Sequence, residues 1–85
     1  MPEISRFFGI VIQMYPNEHA PAHFHARYGN HAASFELRTL QVTGDFPKRA
    51  TRLVKDWARM HEPELLANWD AMRSGGEVRR IEPLE

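Results

Sequence analysis

The spacing of hydrophobic residues changes once along the chain, near residue 47, and splits it into a strand-forming half and a helix-forming half. Residues Ile4 to Tyr15 are rich in Phe, Ile and Val and end by alternating Ile10, Ile12 and Met14 against Val11, Gln13 and Tyr15. This predicts one strand, buried on both faces for part of its length, with Gly9 at a bulge or close approach. Pro16-Asn17-Glu18-His19-Ala20-Pro21 breaks it, because two prolines bracket small and polar residues. His23 to Tyr28 reads as a second strand, with Phe24, Ala26 and Tyr28 on one face and His23, His25 and Arg27 on the other. Gly29-Asn30 marks a tight turn, and Ala33, Phe35 and Leu37 alternate after it, which together make a hairpin. Leu40-Gln41-Val42 is a candidate fourth strand, ended by Gly44-Asp45.

Beyond Pro47 the period becomes helical. Ala50, Leu53, Val54, Trp57 and Ala58 lie on one face of an amphipathic helix, and Pro47 suits its start. Glu62-Pro63 repeats the start signal, so a second helix carries Leu65, Leu66, Trp69 and Met72 inward and stops at Gly75-Gly76. Glu77 to Leu84 carries a weaker alternation that predicts a closing strand ending at Pro83. The expected fold is α+β: a small antiparallel sheet of three to five strands packed against two consecutive helices, in a single domain over residues 1–85.

Composition narrows the function classes. The chain has no cysteine, so disulfides, thiol nucleophiles and cysteine-ligated zinc are excluded, and a reducing compartment is compatible. The longest apolar stretch, Phe7 to Ile12, is too short for a signal segment or a membrane span, so a cytoplasmic protein without membrane contact is expected. Eleven Lys and Arg balance eleven Asp and Glu, so no overall field attracts nucleic acid and only local charge patterns carry information. Eighty-five residues give a modest core, which leaves room for stabilisation as a homodimer.

The densest chemistry lies in His19-Ala20-Pro21-Ala22-His23-Phe24-His25. Strand alternation puts His23 and His25 on one face, roughly 7 Å apart along the strand, and His19 can reach the same place from its loop. Such imidazoles serve proton transfer near neutrality or metal binding; they also occur as plain solvent-face residues. Arg27 and Tyr28 follow directly and add groups that bind phosphate or orient a hydroxyl. Pro21 stiffens the backbone ahead of the pair. On the first helix, Lys48, Arg52, Lys55 and Arg59 form a stripe opposite Leu53 and Trp57. The stripe can follow a phosphate backbone, or simply solvate the outer face of a packed helix. No Gly-rich phosphate loop, carboxylate pair or serine elbow is visible.

Several segments together resemble a known family. They are Met1-Pro2-Glu3-Ile4-Ser5-Arg6-Phe7-Phe8-Gly9-Ile10, the His19 to His25 segment, Tyr28-Gly29, Pro47-Lys48-Arg49 with Trp57, Glu64-Leu65-Leu66-Ala67-Asn68-Trp69, and Ile81-Glu82-Pro83-Leu84. In this order they resemble the bacterial family called domain of unknown function 4160. The resemblance implies a member of a toxin–antitoxin-like gene pair, with a small protein encoded nearby as partner and RNA as a target. It carries over no catalytic residues. The expectation is a metal-independent ribonuclease or RNA-binding protein without cofactor, with His23, His25 and Tyr28 as catalytic groups and His19, Arg27, Lys48, Arg52, Lys55 and Arg59 as binding groups. Two alternatives stand beside it: a non-catalytic interaction module, and a small metal-binding protein using His19, His23 and His25.

Overall fold

The computed structural model describes residues 3–16 and 19–85. Five strands, β1 (Glu3–Phe7), β2 (Ile10–Gln13), β3 (His23–Tyr28), β4 (His31–Glu36) and β5 (Val42–Asp45), precede helices α1 (Lys48–Met60) and α2 (Glu62–Arg73). The strands form one antiparallel sheet in the order β1-β2-β3-β4-β5. The fold is therefore α+β, with a five-stranded meander and two helices, as the change of hydrophobic period predicts.

Ile4 to Tyr15 is a hairpin rather than one strand. Phe8 and Gly9 turn the chain at φ of 50° and 80°, so that Phe7 pairs with Ile10. This is a two-residue turn with both residues left-handed, where Asn-Gly is the favoured pair. A Phe at its first position conceals the turn inside an apolar run. The strand after β4 also begins and ends later than the sequence predicts. Leu40 takes φ of 61° in the preceding turn, and Gly44 and Asp45 belong to β5 instead of ending it. The break at Pro16 to Pro21 includes Asn17 and Glu18, which lie outside the described residues.

The core lies between one face of the sheet and the helices. Phe7, Ile10, Ile12, Phe24, Ala26, Ala33 and Phe35 are buried on the sheet side, and Ala50, Val54, Trp57, Ala58, Leu65 and Trp69 on the helix side. Trp57 is the keystone: its ring lies 5.3 Å from Phe7 and 5.8 Å from Phe24, and Phe24 stacks on Phe35 at 5.3 Å. Pro47 precedes α1 as its cap instead of lying in its first turn, and His61 alone separates the two helices.

Residues 76–85 form no strand, contrary to the alternation at Glu77 to Leu84. They are held by one ladder-like bond, the Ile81 amide to the Ile4 carbonyl at 2.7 Å, and by side chains. Buried Asn68 donates to the Arg79 carbonyl and accepts from the Arg79 amide, both at 2.8 Å, and the Trp57 indole N–H donates to the Glu82 carbonyl at 2.8 Å. The helices thus supply the partners that a sixth strand would have found in the sheet.

Candidate functional site

Alternation along β3 separates two surfaces. Phe24 and Ala26 enter the core, whereas His23, His25 and Arg27 stand on the opposite face, which α1 leaves open. The register fixes their neighbours. His25 pairs with Gln13 and Ser34, Arg27 with Val11 and Ala32, and His23 with Glu36. Arg6, opposite Val11, extends the Arg27 row towards the β1 edge.

The aromatic rings on this face form a continuous row. Tyr15 meets His25 edge-on at 4.5 Å, His25 meets His23 at 5.3 Å, and His23 meets Trp69 of α2 at 5.2 Å. The Arg73 guanidinium lies 6.0 Å from the Trp69 ring, at the outer limit of a cation–π contact. Packing on both sides holds the two imidazoles at fixed angles. His23 is held further by its Nδ1, 2.8 Å from the Pro21 carbonyl. A carbonyl only accepts, so this nitrogen carries the proton, and in the neutral ring the lone pair lies on Nε2.

Beside the row lies a cavity of 310 Å³ lined by His19, Pro21, His23, Ser34, Glu36 and Thr43, among others. His19 therefore joins His23, as its spacing predicts. Glu36 accepts a hydrogen bond from the Thr39 hydroxyl at 2.9 Å. Ser34, Glu36 and Thr43 are site residues that the sequence does not reveal, because only the strand register brings them opposite β3. Tyr15 and Trp69 escape for the same reason, and Trp69 also reads as a core residue. Among the described residues no group of three His, Cys, Asp or Glu lies close enough to hold a metal ion, so the metal-binding alternative finds no assembled donor set there.

Two parts of the expected site lie elsewhere. Tyr28 alternates onto the Phe24 face and borders a different cavity, with Phe8 and Arg49, so it does not join His23 and His25. Lys48, Arg52, Lys55 and Arg59 point away from the sheet, on the side of α1 opposite buried Val54 and Trp57. The histidines occupy the sheet face that α1 does not cover. The two sets therefore do not converge on one site.

The fold and site define a small α+β protein whose meander sheet keeps one face open beside a polar cavity. The family model described as Domain of unknown function (DUF4160) matches residues 9–70, and the chain belongs to that family. The match spans β2 through most of α2 and includes the whole ring row. No curated protein and no solved structure matches the chain. No helix is long and apolar enough to cross a membrane.

Proposed function

We propose that the open face of the sheet binds single-stranded RNA and that His23 and His25 cleave it, the protein acting in a toxin–antitoxin-like pair with a small protein encoded nearby. The observation that carries this reading is the row of Tyr15, His25 and His23 rings on the sheet face that α1 does not cover. Rings that solvent reaches on an antiparallel sheet offer a base-stacking surface, and unpaired bases stack on aromatic or imidazole planes without needing a particular sequence. Arg27 and Arg6 lie one residue pair further along the sheet, where cations can hold phosphate.

Cleavage needs two proton transfers at one phosphodiester. One group takes the 2′-hydroxyl proton as that oxygen attacks phosphorus, and the other protonates the departing 5′-oxygen, leaving a cyclic 2′,3′-phosphate and a free 5′-hydroxyl. His23 takes the base role, its ring oriented by the bond from Nδ1 to the Pro21 carbonyl. His25, one ring away, is the acid. This chemistry takes no step through a metal or cofactor.

A second reading has its own support. Lys48, Arg52, Lys55 and Arg59 lie apart from the histidines, as an interface for a partner protein would, and the molecule would then be a non-catalytic interaction module. One experiment separates the two: controlled expression in a bacterial host of the intact protein and of the His23→Ala, His25→Ala double variant, following growth and total RNA. Arrest with RNA loss in the intact protein alone supports cleavage. Identical behaviour of the two proteins overturns it, and a stable complex that is lost on changing Arg52 and Lys55 then supports the interaction module.

A further inference from the structure

We infer a second binding site, distant from the histidines, that takes a small apolar carboxylate. The cavity between the β1–β2 turn, the end of β3 and the start of α1 measures 340 Å³ and is walled by Phe8, Ile10, Tyr28, Ala50 and Leu53. That is enough for one aromatic ring with a short chain. Its one charged lining residue is Arg49, for which no hydrogen bond or ion pair is found among the described residues. Lys48 and Arg52 flank it on the same helix, and the first turn of α1 carries no acidic residue. Apolar walls select an apolar body, and a planar guanidinium at the rim selects a carboxylate, which it can hold through two parallel hydrogen bonds.

Phe8 adds an independent argument. It is 60% exposed and sits at φ of 50°, in a turn position that favours Asn. Conformation and solubility therefore both oppose a Phe there, whereas contact with an apolar ligand favours one. Tyr28 completes the wall. Its ring lies over Gly9, where an added Cβ would stand 3.2 Å from Cε1, so the glycine lets the ring lie close against the turn. Tyr28 thus belongs to this site and not to the histidine site.

The test is an amide-resolved NMR titration of the intact chain with phenylpropionate and with its neutral analogue phenylpropanol, repeated on Arg49→Gln and Phe8→Asn. The expected result is saturable shifts confined to residues 8–10, 28–29 and 47–53. The acid should bind about tenfold more tightly than the alcohol, as one charge-assisted hydrogen bond allows. Arg49→Gln should abolish that preference. Phe8→Asn should weaken both ligands while the protein stays folded, because Asn suits the turn. Equal binding of acid and alcohol, an unchanged preference in Arg49→Gln, shifts centred elsewhere, or no saturation in the millimolar range would each overturn the assignment.

Discussion

The two faces of β3 show how one six-residue strand serves both fold and chemistry. Phe24 and Ala26 are fully enclosed, whereas His23 and His25, one residue away in each direction, are half-buried in a row of rings that solvent reaches. The covered face contributes through area removed from water and through close packing. The open face contributes little of either, so its residues can be chosen for what they bind. Substitutions on the two faces should therefore separate stability from activity.

The largest effect is expected at the centre of the covered face. Phe24→Ala removes a ring packed between Phe35 and Trp57 and should cost about 3–5 kcal/mol. A chain of this length has a total margin of about 4–13 kcal/mol, so the variant should be marginally folded at best. His25→Ala gives up ring contacts with Tyr15 and His23, each worth about 0.5–1.5 kcal/mol at most, and should cost less stability than Phe24→Ala while losing RNA cleavage. Urea unfolding of both variants checks this. Comparable losses at the two positions would mean that the open face is also structural, and would remove the basis for reading it as a site.

Between these extremes lies the tail. Asn68→Ala strips two hydrogen bonds from the Arg79 backbone and should cost about 2–3 kcal/mol, the usual net value of two such bonds plus a poorly solvated amide or carbonyl. The loss should be local. Hydrogen exchange at the Ile81 amide, which bonds to Ile4, should quicken more than exchange at the β3 amides. Uniform acceleration throughout would show instead that the tail and the sheet unfold as one unit.

What the sequence shows and what it conceals follow from the range of the interactions involved. The period of two in His23 to Tyr28 and the helical spacing of Ala50 to Ala58 are local, and both place core and surface residues correctly. The turn at Phe8-Gly9 is equally local, but it is made by an unfavourable residue, so an apolar run hides it. The tail offers β alternation but finds side-chain partners on Asn68 and Trp57, which no local pattern anticipates. The histidine row is half legible. His19, His23 and His25 stand out by spacing, while Tyr15, Glu36 and Trp69 reach them only through strand register and helix docking. The basic stripe of α1 is read correctly as a stripe, yet nothing local says which side of the sheet it will face.

The smallest effect is electrostatic, at the β1 edge. Glu3 accepts hydrogen bonds from Arg6 at 2.8 Å and from Arg80 at 3.1 Å, and these contacts, Arg6 first, hold its carboxyl below the ordinary 4.5, at about 2. Because the folded value is the lower one, the contribution to stability is present above about pH 4.5 and is lost as the pH falls from there towards 2. Glu3 ties the edge strand to the tail through Arg80, so acid should loosen the tail before it affects the ring row or the core. The pairs are exposed, so the effect is small, and added salt should shrink it further. Thermal melts of the intact protein and of Glu3→Gln between pH 7 and pH 3 give the comparison, since the variant should lack this part of the acid dependence. Parallel curves for the two proteins would assign the acid sensitivity to other carboxylates and leave the tail held by Asn68, Trp57 and the Ile81–Ile4 backbone bond.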